Sequence, residues 1–122
     1  MKLVSKYYEL PEKIQRGLGE EISTNFVIAF KTTYKPNENI PILWLVLHKN
    51  GILFCSTHTK VIYKSYAINE IDSVKIHKGL HFSFSIEIVV SSLEDDNFIV
   101  TIPDDTDIKK LQNFFKKHYQ VI

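Results

Sequence analysis

The chain is 122 residues long, 44% hydrophobic and 24% charged, with a formal net charge of +1, a balance that fits one folded domain and excludes a disordered or collagenous chain. At this length about two-thirds of the unfolded surface is buried on folding, so neither a disulfide nor a metal is needed to hold a core. The single cysteine, Cys55, excludes an intrachain disulfide and a thiolate metal cluster.

In chain order, the first predicted element is a short helix over Leu10 to Leu18. Pro11 suits a first helical position, Ile14 and Leu18 lie one turn apart, and Gly17 and Gly19 stand where a helix should end. The periodicity then becomes that of strands. Phe26 to Tyr34 is rich in β-branched and aromatic residues, and the run Lys35-Pro36-Asn37-Glu38-Asn39 breaks it. Ile42 to His48 and Ile52 to Thr57 flank His48-Lys49-Asn50-Gly51, in which Asn-Gly is a hairpin signal because both residues tolerate positive φ. Lys60 to Tyr66 and Ile71 to His77 follow. His81 to Val90 alternates strictly, with Phe82, Phe84, Ile86, Ile88 and Val90 on one face. Asn97 to Ile102 is the seventh strand, with Phe98, Val100 and Ile102 on one face. The chain ends in an amphipathic helix over 104–119, capped by Asp104 or Asp105, with Asp107 in its first turn. Its apolar stripe is Ile108, Leu111, Phe115 and Tyr119.

The expected fold class is therefore α+β, a single domain over residues 1–122. An N-terminal segment, 1–20, is followed by seven antiparallel strands within 21–102 and the closing helix. Three stretches resemble the bacterial pleckstrin-homology (PH) domain family. Tyr66-Ala67-Ile68-Asn69-Glu70-Ile71-Asp72-Ser73-Val74-Lys75-Ile76-His77-Lys78-Gly79-Leu80 is similar to the family's aromatic, aliphatic and Lys-Gly pattern. Leu47 to Phe54 sits at its hairpin, and Leu10-Pro11-Glu12-Lys13-Ile14 resembles its leading helix. The resemblance spans roughly Leu10 to Tyr119. It implies a seven-stranded antiparallel barrel, or two orthogonal sheets, closed by the C-terminal helix. The family's hairpin Thr and Arg positions are His48 and Gly51 here, so the role of that arginine does not transfer. Lipid-binding PH domains cluster Lys and Arg around the first hairpin, where this chain has only Lys31 and Lys35, diluted by Glu38.

Fourteen of the fifteen basic residues are lysine, the exception being Arg16. Arginine's planar fork is the preferred donor for phosphate and guanine, so its scarcity counts against sites built on either. Lysine, isoleucine and asparagine also have AT-rich codons, which fits an AT-rich bacterial or phage genome. The longest apolar run, Ile40 to Leu47, contains Pro41 and is too short for a bilayer, and no signal-peptide pattern opens the chain. A cytoplasmic location is expected.

None of His48, His58, His77, His81 and His118 falls in a helical zinc-binding pair. His77 and His81 bracket a turn and, with Asp72 or Glu87, would at most hold an adventitious metal. Cys55, in mid-strand, reads as a small buried hydrophobe. Glu94-Asp95-Asp96 and Asp104-Asp105-Thr106-Asp107 lack calcium-loop spacing. No glycine-rich phosphate loop or G-x-S-x-G elbow is present. The expectation is a non-enzymatic chain with no cofactor, no resident metal and no nucleic-acid partner.

Two features point to partners instead. Phe26 to Phe30 and Ile42 to Leu47 are apolar on both faces, so the outer face needs cover from the N-terminal helix, a second copy of the chain, or another protein or peptide. The candidate partner-binding residues are Phe26, Ile28, Phe30, Ile42, Trp44 and Leu45. Lys109, Lys110, Lys116 and Lys117 form a basic stripe on the last helix, the candidate contact for an anionic membrane surface, weak at most. The expected function is a protein- or peptide-binding adaptor, including through self-association. Anionic lipid binding is the alternative, and a small enzyme or a phage-encoded inhibitor of a host protein stands behind both.

Overall fold

Period-two apolar patterning gives seven strands between two helices among the described residues. The computed structural model describes residues 4–32, 38–39, 42–58, 60–78, 84–90, 97–102 and 108–118. The elements are α1 (Glu12–Asn25), β1 (Phe26–Lys31), β2 (Trp44–His48), β3 (Gly51–Cys55), β4 (Ile62–Ala67), β5 (Ile71–Lys78), β6 (Phe84–Val90), β7 (Asn97–Ile102) and α2 (Ile108–His118). One 3-10 turn, Tyr7–Glu9, precedes α1 and another, Ile68–Glu70, joins β4 to β5.

All neighbouring strands pair antiparallel, in the orders β1-β2-β3-β4 and β5-β6-β7. The α+β class and the two-sheet arrangement therefore hold, but the seven strands do not close into a barrel. Among the described residues no ladder joins the two sheets, and the chain passes from β4 to β5 through the 3-10 turn instead of continuing the pairing.

The four-stranded sheet is apolar on both faces, and each face has its own core. Ile28, Phe30, Leu45, Leu47, Ile52 and Phe54 point inward, where Val74, Ile86, Ile88 and Val90 of the second sheet meet Leu111, Phe114 and Phe115 of α2. The alternating residues Ala29, Val46, Leu53 and Cys55 point outward and pack under Val4, Leu10, Ile14 and Leu18. The register aligns these as rows, Phe30–Leu45–Phe54 inside and Ala29–Val46–Leu53 outside. The expected cover for the outer face is thus the chain's own N-terminal segment. Val4 also exchanges both backbone hydrogen bonds with Ala29, at 2.7 and 2.8 Å, and so shields part of the β1 edge.

The first helix is longer than its glycines predict. It runs to Asn25, with a break at Gly19, whose φ of 79° and ψ of 175° are not helical. Gly19 does interrupt the helix, but Glu20 to Asn25 resume it, and the N-terminal segment ends at 25 instead of 20. Pro11 precedes the helix instead of opening it, and its carbonyl accepts from the Ile14 and Gln15 amides. Gly17 serves a different purpose: a Cβ there would lie 2.5 Å from the Val61 Cβ, so the helix rests directly on the β3–β4 loop.

The β2–β3 hairpin pairs His48 with Gly51, so its two turn residues are Lys49 and Asn50 and Gly51 already belongs to β3. Gly51 is required by crowding, since a Cβ there would run into the Tyr66 carbonyl oxygen. In α2, Phe114 joins Leu111 and Phe115 in the core, which the predicted stripe missed. The side chains of Ile108 and of Phe84, Phe98, Val100 and Ile102, and the whole of 79–83, 103–107 and Tyr119, lie outside the described residues; so do the predicted caps.

Candidate functional site

The outer face is not covered evenly. Before Gly19, α1 lies close on the sheet through Ile14 and Leu18, both buried. Beyond the break, an open cleft of about 450 Å³ remains between the second half of α1 and the β3–β4 end of the sheet. That volume is within the range of small-molecule and side-chain pockets.

The cleft is built from five elements, α1, β2, β3, β4 and the 3-10 turn before β5. Leu18, Glu21 and Ile22 of α1 form one wall, and Leu53, Ile62, Ser65 and Ala67 form the floor. His48 and Asn50 of the hairpin, with Glu70 of the 3-10 turn, complete it. Backbone hydrogen bonds hold the hairpin on both sides. The Lys49 amide donates to the Asn25 carbonyl at 2.9 Å, and the Ile68 amide to the Asn50 carbonyl at 3.0 Å. The Glu70 carboxylate accepts from the Ala67 amide at 2.9 Å, which fixes the turn.

His48 is buried, 7% exposed. Burial pushes its pKa below the ordinary value, and the negative charge of Glu21 opposes that shift. Its Nδ1 accepts the Asn50 backbone N–H at 3.2 Å, so the proton of the neutral ring resides on Nε2. A ring held in that tautomer donates from Nε2 and does not act there as a general base. Ser65, exposed in the same cleft, therefore has no base supplied by this ring.

The other chemistry-bearing residues fall elsewhere. Cys55 is fully buried in the outer core, and burial pushes its thiol up to about 12, so it stays protonated and inert. His77 Nε2 lies 3.0 Å from Glu87 Oε1 across β5 and β6, while His81 lies outside the described residues. Among the described residues no three of His, Cys, Asp and Glu gather as a metal site, and no helix is long and apolar enough to cross a membrane.

The six candidate partner-binding residues do not form one surface. Ile28, Phe30 and Leu45 are fully buried in the inner core and present nothing to a partner. Phe26 and Trp44 are partly buried against the N-terminal segment, and Ile42 is 37% exposed. Trp44 and Leu45 do face opposite ways, as strand geometry requires. The four lysines are exposed on α2, opposite its buried Leu111, Phe114 and Phe115.

Sequence reasoning found the need for cover but missed the cleft. Its local signals were present, namely His48 and Asn50 at the hairpin and Gly19 in the helix, but nothing local places them side by side. No model of a known protein family matches the chain, and no curated protein is significantly similar to it.

Proposed function

We propose that this chain is a non-catalytic binding module on a PH-like scaffold, and that it takes a protein or peptide partner in the cleft between α1 and the β3–β4 end of the sheet. The observation that carries this reading is the uneven cover of the outer face. Among the described residues the chain covers part of that apolar surface with its own N-terminal segment and leaves an open, mixed-polarity cleft lined from five elements. Partner sites are commonly this kind of concavity, with an apolar floor and a few fixed polar groups. The inert thiol and the donor tautomer of His48 support binding over catalysis. A lone, packed thiol also suits a reducing, cytoplasmic setting.

The test is a photo-crosslinking amino acid placed at Ser65 in the cleft, or at the exposed Lys75 on the second sheet, in cells of the source organism. A discrete adduct from Ser65 alone is expected. An adduct of twice 14.2 kDa would identify the partner as a second copy. Equal labelling from both positions, or none from Ser65, would remove the reading.

A second reading rests on α2. Lys109, Lys110, Lys116 and Lys117 occupy one solvent face at i, i+7 spacing, a geometry suited to weak contact with anionic head groups. It requires salt-sensitive binding to acidic vesicles that is lost when the four lysines become glutamine.

A further inference from the structure

We infer that the cleft is selective for a basic side chain, arginine or lysine, carried on the partner's chain; this rests on the reading of the cleft as the partner's seat. Its lining includes two carboxylates, Glu21 on α1 and Glu70 on the turn before β5, and no lysine or arginine among the described residues. Both glutamates are exposed toward solvent, while Leu18 and Leu53 are buried beneath them and Ile22 and Ile62 are half-buried. The cleft is therefore apolar at its base and negative at its rim.

Three kinds of occupant can be compared. An acidic group would meet two like charges in a partly desolvated space. A purely apolar group would take water from two carboxylates and return no hydrogen bond. A long basic side chain satisfies both layers, because its methylene stem lies along apolar surface while its charged head stays at the rim. Arginine suits it better than lysine, since the guanidinium can donate to a carboxylate through two parallel N–H groups and is more weakly hydrated. His48 places no competing cation there, because the Asn50 N–H on Nδ1 holds the neutral ring.

The experiment is an amide-resolved NMR titration of the full chain with three acetylated, amidated heptapeptides, Ser-Val-Ser-Xaa-Ser-Val-Ser. Xaa is arginine, norleucine or glutamate. The arginine peptide is expected to shift the amides of Glu21, Asn50, Ser65 and Glu70, and to bind about tenfold more tightly than the glutamate peptide. The double variant Glu21→Gln, Glu70→Gln keeps both side-chain shapes and the acceptor for the Ala67 amide. It should weaken arginine binding about fivefold, as should a rise in salt. Norleucine binding as tightly as arginine, an unchanged double variant, or shifts that fall outside the cleft would overturn the inference. The two proposals fail distinguishably. A Ser65 adduct without arginine preference leaves the seat and removes the charge selectivity, whereas the lack of a Ser65 adduct removes the seat and the inference that rests on it.

Discussion

The two faces of the four-stranded sheet are both apolar, but they are covered in different ways. The inner face carries large residues, Phe30, Leu45 and Phe54 in one row, against a second sheet and a helix. The outer face carries Ala29, Val46 and Leu53 in the neighbouring row, against a single N-terminal segment. One face depends on contacts between distant parts of the chain, and the other on a layer contiguous in sequence with the first strand. The difference separates a core that defines the fold from a cover that shapes the cleft. Thin, locally connected layers are those most able to open below the global unfolding free energy.

The largest expected effect contrasts the two layers directly. Phe54→Ala in the inner core should cost about 3–5 kcal/mol, the range for a buried aromatic cut to alanine. Ile14→Ala is equally buried but lies under one helix that can settle toward the sheet, so its cost should fall near the low end of the aliphatic range, about 2 kcal/mol. Urea unfolding monitored separately by near-UV signals and by hydrogen exchange would measure both. Equal losses, with exchange in α1 matching that of β6, would show that the two layers are one cooperative unit.

Gly17→Ala comes next. A mid-helix alanine normally gains about 1 kcal/mol over glycine, but here its Cβ would overlap the Val61 side chain at 2.5 Å, with backbone on one side and a strand loop on the other. Net destabilisation of about 1–2 kcal/mol is expected. Labelling of the Cys55 thiol should rise by more than that loss predicts, because Cys55 sits beneath the displaced helix. A stabilised variant, or unchanged thiol protection, would show that α1 does not rest on the loop.

Gly19→Ala tests the boundary between the covered and open halves. Nothing crowds a Cβ there, so the cost is purely conformational, about 1–3 kcal/mol for an L-residue at φ 79° and ψ 175°, a region essentially restricted to glycine. Hydrogen exchange should quicken over Glu20 to Asn25 and stay unchanged over Ile14 to Leu18. Quickening on both sides of position 19 would mean that the helix behaves as one rod and that the break does not create the cleft.

These residues also show what was readable beforehand. The strand alternation in Ile86, Ile88 and Val90 was legible because a half-buried strand repeats every two residues whatever it packs on. The opposed faces of Trp44 and Leu45, and the need for outer cover, followed from the same rule. The cleft did not, because it depends on how far α1 stands from the sheet, which is set by the approach of Gly17 to Val61, forty-odd residues apart in sequence. Gly19 was readable as a break but not as a break after which the helix resumes. Phe114 was missed because Phe115 alone already completed an i, i+4 stripe with Leu111.

The smallest predicted effect concerns His48, which belongs to the outer layer but lies at the open end. Its folded pKa is below the ordinary value of about 6.5, mainly through burial. Below about pH 6.5 the unfolded chain therefore binds a proton that the folded chain does not, and stability must fall as pH falls through that window. Above it both states are neutral and the histidine contributes no slope. The measurement is a difference between the parent and His48→Gln, a neutral side chain with an acceptor for the Asn50 amide. Urea unfolding between about pH 7.5 and pH 5 should show the variant losing less stability on acidification than the parent. Parallel slopes would place His48 in contact with water at the cleft, which would make the open end of the outer face wetter than its burial implies.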